Sequence, residues 1–399
     1  MKIDELDLED LKSGVPPSNG ELLAAMTQGR TDWLDRFQEH YLYNFIGRGH
    51  GSKVKVLIGG EGTGKTHLLR CVEQDARALG YAAAYLSLRE LDYRLNNIPI
   101  LYRAIVGQID KEALVRGLCR CVANTLGYGE DEYDGSERLL PLLVEREGWA
   151  VNDARKQIRT AIGQAFRDLD IGPAFTTFCF LAAAARMVNG QEEPLRTALR
   201  WLSGEKLDLG DRKATNLFET LQKSNARAWL NSLIQVLNIA GMTGLVVLID
   251  DLDEIIGPVA AGSRHLYSTN AIKDTYELFR QLIDDADLLN GFVLLMAGRK
   301  EMVEDLKHGF KSYEALWMRL QSGLTPGRYF NPYCDIVDLD LYAAVQSTDF
   351  PLQVAAALGR LLQEAGFRRR YQEVPDLNGH SQLRARVMET AMLMEREAE

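Results

Sequence analysis

Residues Val54–Arg70 read VKVLIGGEGTGKTHLLR, and the organisation of the whole chain follows from them. Val54, Val56, Leu57 and Ile58 predict a short buried strand that breaks into a glycine-rich turn, after which a helix begins near Lys65. The run Gly59-Gly60-Glu61-Gly62-Thr63-Gly64-Lys65-Thr66 fits G-x-x-x-x-G-K-[ST], with His67 next in the helix. Each fixed position has a mechanical reason. The glycines let the backbone curl so that successive N–H groups and the positive end of the helix face phosphate oxygens. Lys65 would bridge the outer phosphates, and the Thr66 hydroxyl would sit on Mg²⁺. The bland alternative is a Gly-rich turn before Lys-Thr; a buried strand before it and a helix after it favour a phosphate-binding loop.

A phosphate loop needs acidic partners. Gly244–Ile249 (GLVVLI) is a second continuous apolar run, and it delivers Asp250-Asp251-Leu252-Asp253-Glu254 to the sheet's edge. Asp250 is expected to hold Mg²⁺, and Asp251 stands where a water-orienting carboxylate is needed, with Glu254 as the substitute. Two arginines complete the candidates. Arg299 follows the strand Gly291–Ala297, and Arg319 lies in ALWMRLQ, where it would reach the γ-phosphate of a neighbouring subunit. For each, an ordinary surface ion pair is the alternative.

Between these landmarks, Tyr81–Leu88 (YAAAYLSL) reads as a strand small enough to be covered on both faces, and Asp335–Leu341 as a last strand. From about 89 to 243 the pattern is helical, including Ser136–Val144, Lys213–Leu237 and the apolar Ala174–Val188, which is too short and interrupted to span a bilayer. Trp33, Phe37, Tyr41 and Phe45 recur at four-residue steps, the spacing of a helix that could pack beside the nucleotide or simply in the core. A helix is expected after Arg299, and the chain ends in helices over Pro351–Phe367 and Ser381–Glu397. Arg368-Arg369-Arg370 falls at a helix end, where it complements the helix dipole. Strands separated by helices imply an α/β fold with a parallel sheet, ligand at the carboxyl ends of the strands. The organisation expected is an N-terminal helical segment over 1–53, a P-loop core over 54–345 with a large all-helical insertion, and a C-terminal helical lid over 346–399.

Composition narrows the function classes. Of 399 residues 46% are hydrophobic, enough for a sizeable core, and the net charge of −10 argues against a surface built to wrap nucleic acid. The five cysteines are scattered without zinc spacing and fit a reducing cytoplasm. The acidic start MKIDELDLEDLKSG has no apolar export segment.

With these residues in place, the chain resembles the ATP-binding proteins of bacterial phage-exclusion (BREX) systems, P-loop ATPases near the AAA+ and STAND groups. The resemblance rests on KVKVLIGGEGTGKTHLLR, ILYRAIVGQI, ALRWLSGE, GLVVLIDDLDEI, LLMAGRKEM and ALWMRL, in that order over about 50–320. It implies ATP and Mg²⁺ as cofactors, since no base-reading motif is visible in the residues themselves. It also implies a cytoplasmic ATPase acting with a helicase or other defence proteins on foreign DNA, with DNA contact indirect, no membrane, and a homo-oligomer if Arg319 works in trans. Two departures bear on turnover: Asp251 stands where family members tend to carry glutamate, and Arg299 where they carry a threonine-like residue. A nucleotide-gated scaffold with little turnover is therefore the rival reading, and a helicase-loader-like DNA-remodelling ATPase a third.

Overall fold

Alternate side chains of each long sheet strand go to opposite faces, and both faces are dry. In β1 (Ser52–Ile58), Val54, Val56 and Ile58 join one apolar core and Leu57 another; β3 (Leu245–Asp250) and β4 (Phe292–Gly298) split the same way, as does β2 (Ala82–Ser87). Continuous apolar strands of this kind fit a parallel sheet covered on both sides. The computed structural model, which describes residues 2–29, 31–167, 169–190, 192–257, 266–320, 331–341 and 347–396, has that sheet: five strands in the order β2-β3-β4-β1-β5, every pairing parallel, with β5 at Ile336–Asp338. The α/β architecture with a parallel sheet is thus as the sequence indicated. One strand, β4, separates the phosphate-loop strand from the acidic strand.

The helices are numbered in chain order. α1 (Glu5–Lys12), α2 (Gly20–Met26) and α3 (Thr31–Phe37) precede the sheet, and α4 (Lys65–Ala78) follows the loop. Between β2 and β3 come α5 (Ile98–Gln108), α6 (Lys111–Thr125), α7 (Leu139–Glu147), α8 (Val151–Ala165), α9 (Pro173–Ala184), α10 (Glu192–Leu202), α11 (Leu209–Thr215) and α12 (Ala226–Ile239), with no strand among the described residues. α13 (Thr269–Asp284) shares an apolar core with most of these helices on the sheet face that carries Val54, Val56 and Ile58. The short α14 (Glu301–Glu304) and α15 (Glu314–Trp317) lead toward β5. α16 (Phe350–Glu364) and α17 (Gln382–Met392) close the chain with an antiparallel pair, β6 (Phe367–Arg369) and β7 (Met394–Arg396). The core boundary expected near 345 lies outside the described residues.

Several local expectations are corrected. The aromatic helix widens after α3 into π-type turns over Gln38–Arg48, so the buried face advances by five residues instead of four. Leu42 and Ile46 therefore go inside with Tyr41, while Phe45 is left 45% exposed; Trp33, Phe37 and Tyr41 pack in the apolar core on one face of the sheet. Lys213–Leu237 is not one helix. Asn216 takes a left-handed conformation that ends α11, and Glu219 then ties down the following loop by accepting from both the Trp201 and Trp229 indoles. The helix expected after Arg299 stops at Glu304 because the Asp305 carboxylate accepts from the Lys307 and His308 amides and turns the chain. β5 is shorter than Asp335–Leu341: Asp338 accepts from the Asp340 amide and curls the strand's end. The helix expected over Ser136–Val144 begins and ends three residues later. Ser381–Glu397 ends as β7, so Arg368 and Arg369 lie on a strand rather than at a helix end, and Arg370 pairs with Glu395.

β5 is pinned to the sheet by an unusual group. Lys55, 2% exposed in the middle of β1, donates to the Cys334 carbonyl and lies over the Tyr41 ring, whose hydroxyl donates to the Pro332 carbonyl. Burial pulls its ammonium down to about 8. Between that value and the unfolded chain's 10.5 the unfolded state holds a proton that the folded state has released, so stability rises with pH across this window. Relative to Lys55→Met, wild type should gain roughly 2 kcal/mol between about pH 7.5 and 9.5 in urea unfolding. A difference that does not vary with pH would show that the ammonium is not under this constraint.

Candidate functional site

At the carboxyl ends of β1 and β3 the chain encloses a cavity of about 730 Å³. Its floor is the phosphate loop. Gly62 and Gly64 both have positive φ (76° and 87°), conformations that side-chain-bearing residues rarely adopt, and they turn Glu61–His67 into the cavity at the start of α4. Gly59 and Gly60 form the back of the loop. Their carbonyls accept from Lys65 Nζ at 2.9 and 2.7 Å, and the Gly60 amide donates to Asp340, itself gripped with Asp338 by Lys300. Burial lowers the Lys65 ammonium below its ordinary value, while Asp253 and Asp250 oppose that effect and keep a charge favourable there. His67 exchanges a 2.8 Å hydrogen bond with Thr27, and burial drives its imidazole down to about 4, so the ring is neutral near pH 7.

The acidic strand ends in the same cavity. Asp250 is 2% exposed; one carboxylate oxygen accepts from the Asp251 amide at 2.8 Å and the other from the Tyr85 hydroxyl at 2.8 Å. Asp251 sits at φ 56°, a left-handed conformation in a non-glycine residue that swings its side chain toward β2. There it accepts from Ser87 Oγ at 2.8 Å and pairs with Arg89 Nη2 at 2.9 Å. Burial and the neighbouring Asp250 charge raise its pKa, with Arg89 pulling the other way.

The remaining candidates divide. Arg299 lines the cavity and is held by buried Asp253 through both its backbone amide and Nε at 3.2 Å. Glu254 points instead to Arg89 at 3.2 Å and does not line the cavity, so the structure does not bring it to the phosphate loop as a substitute for Asp251. Arg319 also lies away from the cavity, paired with Asp284 and donating to the Ala315 carbonyl.

Sequence reasoning missed the row Tyr85, Ser87 and Arg89. Tyr85 and Ser87 alternate along β2 and share one face, and Arg89 follows in the turn just after the strand; polar groups at alternate positions from Tyr85 onward were the available signal. It also missed the walls. Leu11, Val15, Pro16 and Met26 from the N-terminal segment meet Leu383 and Val387 of α17 across the cavity, and Arg384 enters beside them with a buried, unpartnered Nε. Ser381, which caps α17, rests on Gly62.

The donors suit a small hard cation. Among the described residues no cluster of three or more His, Cys, Asp or Glu could cage a metal. One hydroxyl, Thr66, and one carboxylate, Asp250, beside a phosphate cradle are the set for an ion that takes most of its ligands from phosphate and water.

A strand, a glycine cradle, a lysine and a buried carboxylate thus meet in one cavity. The family model for the BREX system ATP-binding protein BrxC/D matches residues 4–346. The chain belongs to this family. Membership makes it an ATP-binding component of a BREX phage-defence system, with the system's other components as partners. The match spans the phosphate loop and the acidic strand of this BREX ATP-binding protein and ends before α16 and α17. No curated protein and no solved structure matches the chain. None of the described helices is long and apolar enough to cross a membrane.

Proposed function

We propose that the chain is a Mg²⁺-dependent ATP hydrolase acting as a motor or switch in the cytoplasm, together with other defence components that contact foreign DNA. The observation that carries this reading is the joint placement of Lys65, Thr66, Asp250 and Asp251 around one cavity. Triphosphate would lie along the amides of Glu61–Thr66, with Lys65 leaving the loop carbonyls to bridge the outer phosphates. Thr66 and Asp250 would hold Mg²⁺, which neutralises charge on the phosphate oxygens. Asp251 would orient water for in-line attack, and Arg299, already steered by Asp253, would stabilise charge on the transferring group. The apolar walls between the N-terminal segment and α17 would take the base, and α16 and α17 would act as the lid, with Arg384 reaching in from it. Arg319 remains the proposed contact to a neighbouring subunit.

One observation favours the second reading, a nucleotide-gated scaffold: both Asp251 oxygens are engaged, by Ser87 and Arg89, and must be released before they can serve water. Steady-state ATP hydrolysis with Mg²⁺ decides between the two. If Asp251 orients water, Asp251→Asn lowers kcat by about 10²–10⁴-fold while ATP affinity stays within a few-fold. Tight ATP binding by wild type without hydrolysis, alone or with DNA, would replace the hydrolase with the scaffold.

A further inference from the structure

Tyr85 is hard to explain as packing. Its ring is 7% exposed at the end of β2, on the sheet face covered by α4, where phenylalanine would fill the same volume without a hydroxyl to desolvate. Instead the hydroxyl is spent on Asp250. The ring is fixed from two further directions. The Arg70 guanidinium lies 3.4 Å from its centroid, and Arg70 stands one turn after Thr66 on the same side of α4, both residues lining the cavity. The backbone of Tyr85 is gripped by Gln108 of α5, whose Oε1 accepts from the Tyr85 amide at 2.9 Å and whose Nε2 donates to its carbonyl at 2.5 Å, standing in for the strand that the sheet edge lacks. The Asp250 carboxylate is therefore held in one plane by the Tyr85 hydroxyl on one oxygen and the Asp251 amide on the other, and each oxygen keeps a second lone pair for a cation or its water.

We propose that Tyr85 is a positioning residue for a divalent cation: through its hydrogen bond it orients Asp250 as ligand, with Arg70 and Gln108 fixing Tyr85 in turn. The inference rests on the reading of Asp250 as the cation's ligand. Outer partners of this kind tune affinity because an unfixed carboxylate must be ordered at the moment of binding.

The test uses the full chain with ADP, with Mn²⁺ as the probe, read by electron paramagnetic resonance, and ADP affinity measured separately in EDTA. For Tyr85→Phe, Mn²⁺ affinity in the presence of ADP should fall about 10–100-fold, while metal-free ADP affinity stays within about twofold. Combined with Asp250→Asn, Tyr85→Phe should cost nothing further, because it acts through that carboxylate. Arg70→Met, which leaves the hydroxyl in place, should shift Mn²⁺ affinity in the same direction by less, and it carries the test if Tyr85→Phe does not fold. Unchanged Mn²⁺ affinity in Tyr85→Phe, or an equal loss in EDTA, overturns the proposal and leaves Asp250 as ligand. Wild type that binds ADP without Mn²⁺ overturns the assignment of Asp250 and this inference with it, and that outcome is visible in the wild-type arm alone.

Discussion

Lys65→Ala should reduce ATP affinity at least ~100-fold, since two charge-assisted hydrogen bonds of about 1.5–3 kcal/mol each are lost. Lys65 Nζ lies on the Gly59 and Gly60 carbonyls and is drawn by Asp253 and Asp250, so the ammonium is stationed at the loop before any nucleotide arrives. Removing it takes away the cation that, on the proposed reading, would offset phosphate charge beside these buried carboxylates. Lys65→Arg should not restore binding, because a planar guanidinium cannot take the place of a compact ammonium tucked under the loop. Titration with a fluorescent ATP analogue measures the loss, and thermal unfolding checks it independently. Wild type should be stabilised by ~2.7 kcal/mol at a nucleotide concentration of about 100 Kd, and the variant by almost nothing. Affinity within threefold of wild type would remove Lys65 from the phosphate site.

Gly62→Val should cost roughly 2–4 kcal/mol of stability and abolish nucleotide binding. Two independent penalties combine. A β-branched residue at φ 76° is strained by about 1–3 kcal/mol, and its Cβ would overlap Ser381 Oγ and crowd Ser381 Cβ. Ser381 is the N-cap of α17, accepting from the Arg384 amide, so relieving the overlap means unseating that helix. Limited proteolysis should then cut the segment between β6 and α17, and urea unfolding should report the stability loss. The double variant Gly62→Val with Ser381→Gly separates the two penalties: it should recover part of the stability and none of the binding, because the overlap is gone while the backbone strain remains. A single variant with wild-type stability would show that α17 does not rest on the loop.

The parts of the fold legible in the sequence are those whose requirements fall on consecutive residues. A strand, a turn with two positive-φ glycines and a helix start need particular residue types in a row, and Val54–Arg70 supplies them. The acidic strand was legible for the same reason. What escaped was decided by partners distant in the chain. The Ser87–Asp251 bond joins residues 164 apart, and β7 exists because Phe367 and Arg396 pair across the whole of α17. Local periodicity also misled where backbone geometry changed: four-residue spacing put Phe45 inside, and the π-type turns put Ile46 there instead. Glu254 was plausible by sequence distance alone, and Arg89 drew it away.

The small core that joins α1 and α2 to α16, α17 and β6 has a consequence for how the chain is made. Ile3, Leu8 and Leu22 are buried against Leu358, Leu362 and Ala391, residues more than 330 positions later, and α1 lies against α17. During synthesis α1 and α2 therefore wait for partners that emerge more than 330 residues later. At ~5–20 residues per second the phosphate loop is out of the ribosome for some 15–60 s before Leu383 and Val387 can reach it. For much of that interval the residues of the loop and of the N-terminal wall are outside the ribosome while the opposite wall is missing, and β4 and β5, the neighbours of β1 in the sheet, are still to come. On the proposed reading nucleotide capture waits for that wall, and a nascent chain stalled before α17 would expose the glycine loop together with the unpaired α1 and α2.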